Sequence, residues 1–110
     1  MNVEIDKFHL LTLVGDDAEA VGVVLEEFGE SGLALVDLMA AARSQGDTEE
    51  FRAVAHQLKG AGGMFGMLTL HVVCEQLEST KLVDVTEGKE AELRRVFMKS
   101  HQLVTDLVLG

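Results

Sequence analysis

GDDAEAVGVVLEEFGESGLALVDLMAAARSQG, residues 15–46, is the stretch on which the fold turns. Val21, Leu25, Phe28, Gly32, Leu35, Met39 and Ala42 recur at alternating spacings of four and three, the stripe of a bundle helix packing at a shallow angle. The turn Gly15-Asp16-Asp17 and the pairing of Asp16 with Glu19 read as a capping box at its start, and Ser44-Gln45-Gly46 as its end. Gly29 and Gly32 each cost about 1 kcal/mol relative to Ala inside a helix. Because the stripe keeps its phase across them, the reading is one helix, bent at most.

The same period extends in both directions. A short first helix carries Ile5, Phe8 and Leu11 on one side. Asp47 with Glu50 opens a third helix with Phe51, Val54, Ala55, Leu58 and Phe65 inward. The glycines at 60, 62, 63 and 66 are expected to loosen the chain before a fourth helix with Leu70, Val73, Cys74 and Leu77 inward. Asp84 and Glu87 open the last, with Leu93, Val96, Ser100, Leu103 and Leu107 on its stripe and Phe97 and Val104 widening it. The expected fold is all-α: an antiparallel up-and-down four-helix bundle with a short additional N-terminal helix, one domain over residues 1–110.

Composition narrows the function. The chain has 110 residues, 47% apolar and 25% charged, with no proline, so one core fits and a second does not. A formal charge of −10 repels a phosphate backbone, which argues against nucleic-acid binding. The longest uncharged run, Gly60 to Cys74, is shorter than the roughly 20 apolar residues of a membrane span. Glu4 and Asp6 stand where a secretory signal carries basic residues, and Cys74 has no disulfide partner, so a cytoplasmic location is expected.

At about 100° per residue, the apolar positions of the third helix cluster within roughly 60° of one direction, and His56 falls roughly 140° away. Its side of the helix also carries Arg52 at i−4, Lys59 at i+3, and no side chain at Gly60 and Gly63. A neutral imidazole is a competent nucleophile near pH 7, and Lys59 can meet a phosphoryl group as a point charge. Glycine at i+4 leaves room for another protein's active site to close over the ring. The competing reading is a solvated histidine beside an ordinary lysine.

Ala55-His56-Gln57-Leu58-Lys59-Gly60, followed by Gly66, Leu70, Cys74, Leu77 and Glu78, resembles the signature of histidine-containing phosphotransfer (HPt) domains, A-H-x-L-K-G, then G, L and C-x-x-L-E. The resemblance implies a carrier in a two-component multistep phosphorelay. His56 would take a phosphoryl group from the aspartate of one response-regulator receiver domain and pass it to another. Lys59 would steady the group, Gly60 would keep the approach open, and magnesium would be expected on the partner receiver. Many members have a small hydroxyl residue after the Lys-Gly pair, where this chain has Ala61 and Gly62.

The chain has no phosphate loop, kinase motif or acidic magnesium cluster, so it is read as a carrier without its own ATP site and not as a stand-alone enzyme. No cofactor or metal is expected of its own, since His9, His71 and His101 form no ligand pair. Arg52, Gly60, Gly63, Met64 and Met67 are candidate docking residues for a receiver, and a hybrid histidine kinase is a further candidate partner. Cys74 is read as core, and Glu78 as structural on the fourth helix before chemical. The stripes can be satisfied within one chain, which points to a monomer. Two alternatives stand: a phosphoacceptor domain of a larger hybrid or chemotaxis kinase, and an unphosphorylated helical adaptor.

Overall fold

The computed structural model describes residues 2–110. Its helices are α1 (Lys7–Val14), α2 (Ala18–Ser44), α3 (Thr48–Met64), α4 (Leu68–Ser79) and α5 (Glu87–Leu109), with one 3₁₀ turn at Leu82–Asp84. α2 packs on α3 and α5, and α4 on the same two, so the four long helices enclose one core. Neighbours run antiparallel. Gly22 lies by Leu109 and Arg43 by Glu90 across α2 and α5, while Gly62 lies by Leu70 and Lys59 by Glu78 across α3 and α4.

At the centre, Phe28 of α2 stacks on Phe65 at 5.4 Å between centroids and meets Phe97 of α5 edge-on at 5.4 Å. These are the offset and T-shaped arrangements that aromatic quadrupoles favour. Val54, Ala55 and Leu58 of α3 and Leu70, Cys74 and Leu77 of α4 complete the core as their periodicity predicts.

Several boundaries differ from the sequence reading, each for a local reason. Asp17 caps α2 in place of Asp16, its carboxylate accepting from the Ala20 amide at 3.1 Å, so the helix starts one residue later. Val36, not Leu35, is buried. A straight helix advances 3.6 residues per turn, and over a helix this long the buried face drifts off a strict 3.5 repeat. The same drift leaves Leu107 exposed and puts Val104 in the core. Thr86 caps α5, accepting from the Lys89 amide at 3.2 Å, and Asp84 instead ends the 3₁₀ turn.

On α1 it is Leu10 that faces the core, while Phe8 and Leu11 are 83% and 63% exposed. The Asp6 cap sets the phase of this short helix, its carboxylate accepting from the His9 amide. The glycines of α3 do not loosen it, and the helix runs through Gly60, Gly62 and Gly63 to Met64. Gly62 is buried against Leu70, and only at Gly66, with φ of 71°, does the chain turn.

Gly29 and Gly32 are notches and not a hinge. A Cβ on Gly32 would strike the Phe97 ring, and one on Gly29 would meet the His101 ring at 2.9 Å. Their absence lets α5 approach closely enough for His101 Nε2 to donate to the Leu25 carbonyl at 2.8 Å. Residues 2–6 form a strap over the α3–α4 turn. The Glu4 amide donates to Thr69 Oγ1 at 2.8 Å, the Asp6 amide to the Gly66 carbonyl at 2.7 Å, and Ile5 bridges Met67.

Candidate functional site

The Asp47 cap and the core anchors Phe51, Val54, Ala55 and Leu58 fix the rotation of α3, and that rotation decides what faces outward. His56 lies opposite the core with its side chain 75% exposed. On α4, Leu70, Val73, Cys74 and Leu77 face inward, which places Glu78 on the flank beside α3. Two helices packed side by side thus bring together three residues from two sequence segments.

Glu78 joins them. One carboxylate oxygen lies 2.9 Å from His56 Nδ1, and the other accepts from the Lys59 ammonium at 2.9 Å. Lys59 and Glu78 are mostly covered, at 18% and 20% side-chain exposure, under an open imidazole. Partial burial by itself pushes the Glu78 carboxyl up. The hydrogen bonds from Lys59 and then His56, with their charges, outweigh it and hold the group below the usual carboxylate range.

An ionised carboxylate only accepts hydrogen bonds, so the proton of a neutral His56 ring belongs on Nδ1. The lone pair is then on Nε2. An exposed imidazole in that tautomer can attack an electrophile brought by another molecule, which is the arrangement nucleophilic transfer requires.

The remaining residues divide clearly. Gly60 has nothing within 4 Å of its missing Cβ, and the nearest group to that of Gly63 is the His71 ring at 3.5 Å. The surface beside His56 is therefore bare at Gly60, whereas the His71 ring borders it at Gly63. Arg52 is exposed and makes no ion pair among the described residues, and Met64 is 48% exposed. Met67 is a correction: it is fully buried. The turn at Gly66 ends the helical phase that placed it outside, and its bridge to Ile5 draws it under the strap.

Cys74 is buried, and desolvation first, then the nearby Glu78 carboxylate, pushes its thiol up to about 12, so it packs and does not react. His9 contacts the Met64 carbonyl through Nε2 at 2.9 Å, and His71 lies 3.9 Å from Glu75. Among the described residues no group of three or more His, Cys, Asp or Glu could hold a metal ion. None of their helices is long and apolar enough to cross a membrane. Glu78 is the site residue whose role the sequence reading undervalued. Its signal is present as the last letter of the C-x-x-L-E motif, but a separation of 22 positions from His56 conceals the contact.

An exposed histidine held by a carboxylate beside a lysine and bare glycines, on a helical bundle, agrees with the family comparison. The Hpt domain model matches residues 23–107. The chain belongs to the Hpt domain family. Hpt domains are phosphocarrier modules that perform histidine phosphotransfer in two-component phosphorelays, where they interact with receiver domains and histidine kinases. The match starts inside α2 and ends inside α5, so it spans the whole of α3 and α4 and the site between them. No curated protein and no solved structure matches the chain.

Proposed function

We propose that His56 is the phosphoryl acceptor of this Hpt domain. It takes the group from a receiver domain's phospho-aspartate and returns it to the aspartate of another receiver. The observation that carries this reading is the 2.9 Å contact between His56 Nδ1 and Glu78, because it assigns the free lone pair to the exposed Nε2. In the forward step Nε2 forms the N–P bond while the P–O bond of the acyl phosphate breaks, and the aspartate leaves as its carboxylate. This chain would contribute the nucleophile and the lysine, and a magnesium ion on the receiver would supply charge stabilisation for the departing carboxylate.

Arg52, Gly60, Gly63 and Met64 form the docking surface. The glycines give the receiver's loops access to the ring, Arg52 offers a charge for the partner's acidic site, and Met64 an adaptable apolar contact. The domain acts in the cytoplasm as a monomer and carries the group without ATP chemistry or a cofactor of its own.

The test is intact-mass analysis of wild type and His56→Gln after incubation with phosphorylated receiver domains. The expected result is one acid-labile, base-stable phosphoryl group on the wild type and none on the variant, with equal helicity in both. Because His56 is exposed, its replacement should change stability by no more than about 0.5 kcal/mol. A variant that retains the group, or a folded wild type that never acquires one, would move the function to the adaptor alternative.

A further inference from the structure

Three of the chain's four histidines, drawn from three helices, converge on the face that carries His56. His71 of α4 lies over Gly63, its ring carbon Cδ2 3.5 Å from where a Cβ would stand, and its side chain is 43% exposed. Gly63 is two turns along α3 from His56 on the same side of the helix, so the rise of the helix puts the His71 ring at a level about 10 Å from the nucleophile. His9 of α1 borders the same spot. With His71, Asp6, Gly63 and Gly66 it lines a hollow at the α3–α4 turn, but its Nε2 is taken up by the Met64 carbonyl. The His71 ring is held less firmly: Glu75 stands 3.9 Å from its Nδ1, beyond hydrogen-bond reach.

A receiver that reaches His56 must also cover this spot. A standard interface buries about 800 Å² on each partner, a disc of roughly 16 Å radius, and His71 falls inside one centred on His56. The reacting group of the partner is a phospho-aspartate, so that body is anionic where it meets a chain whose own charge is −10. At physiological salt, charges interact over about 8 Å. His71 therefore senses the receiver's side chains opposite the α3–α4 turn more than it senses the phosphoryl group.

We infer that His71 is a specificity-determining residue of the docking face, which in its protonated form pairs with a carboxylate that the receiver presents at the α3–α4 turn. The inference rests on His56 being the acceptor on which a receiver docks. A neutral imidazole has one N–H, and with Nδ1 turned toward Glu75 its Nε2 is an acceptor that a carboxylate cannot use. Protonation makes Nε2 a charged donor. Imidazole is the side chain whose ordinary pKa, about 6.5, lets a contact gain a full charge in the physiological range. The charged and titratable groups around the ring are Glu75 on α4, Asp6 and His9 from the strap and α1, and Lys59 one turn back along α3, which Glu78 occupies. Asp6 and Glu75 leave the turn anionic while both rings are neutral, and each proton bound there removes one unit of repulsion toward an acidic partner. Docking thus tightens as pH falls through the histidine range and loosens as it rises.

The experiment takes a receiver domain that phosphorylates the wild type and titrates it by NMR, which reads weak binding, into the full chain between pH 7.5 and 6.0. The chain carries His56→Gln throughout, which removes both group transfer and the titration of the acceptor. With His71 present, binding should tighten over this range by about fivefold more than with His71→Gln, the upper end for an exposed ion pair. His71→Lys, charged across the whole range, should bind tightly at both ends. His9→Gln, whose amide can still donate to the Met64 carbonyl, should keep the pH dependence.

A receiver that phosphorylates His56 yet binds the His71 variants with the same pH dependence as the parent chain, or loses that dependence only with His9→Gln, would overturn the role of His71 and leave the acceptor reading standing. A wild type that no receiver phosphorylates would overturn both.

Discussion

Glu78 links the chemistry of the site to the stability of the fold. Its folded-state pKa lies below the ordinary value of 4.5, so the native state favours the ionised form more than the unfolded chain does. The stability this contributes is fully present above the unfolded pKa and is lost as pH falls through the folded one. The stability difference between wild type and Glu78→Gln should therefore shrink once pH drops below about 4.5, and urea unfolding at pH 7, 5 and 3.5 reads it directly. The outward direction of His56 was legible from the wheel of α3, because one helix carries both the residue and its core reference. The engagement of Glu78 was not, since the rotation of α4 against α3 is a property of the packed pair. Nor does the sequence show that Lys59, the candidate to meet a phosphoryl group, is paired with Glu78.

At the scale of the helix, two glycines of the same bundle should respond oppositely to one methyl group. Gly60 sits in α3 with open space at its missing Cβ, so Gly60→Ala removes a helix penalty and should raise stability by about 0.5–1 kcal/mol. Gly32 receives the Phe97 ring, so Gly32→Ala should lower stability by about 1–3 kcal/mol as α5 is pushed away. Urea midpoints of the two variants check both signs. This contrast was hidden in the sequence, where Gly29 and Gly32 count as local helix weaknesses and their partners Phe97 and His101 lie more than 60 residues away. Helix number, order and most core faces could be read from period and caps, since those signals are local. The misreadings at Asp16, Asp84, Phe8 and Met67 all fall at helix ends or in short segments, where one residue of phase or one turn decides which way a side chain points.

Taken as a whole, the molecule is an elongated bundle of 45 × 24 × 17 Å bearing a formal charge of −10. Self-repulsion on so small a body opposes compaction. Raising salt from about 10 mM to about 150 mM shortens the screening length from about 30 Å to about 8 Å. At pH 7 the melting temperature should rise over that range, and near the isoelectric point it should not, which thermal scans at the two pH values test. The strap over the α3–α4 turn has a further consequence, for the order of assembly. Its bond from the Glu4 amide to Thr69 joins positions 65 apart in sequence, and nothing in the strap is helical enough to wait in place. On a ribosome these residues emerge before α3 and α4, yet the surface they fasten to exists only after those two helices have been made and have paired. A segment made before its own docking surface is thus among the last to find its seat, and because closing so long a loop is entropically costly, it is also among the first to lift off when the native molecule breathes.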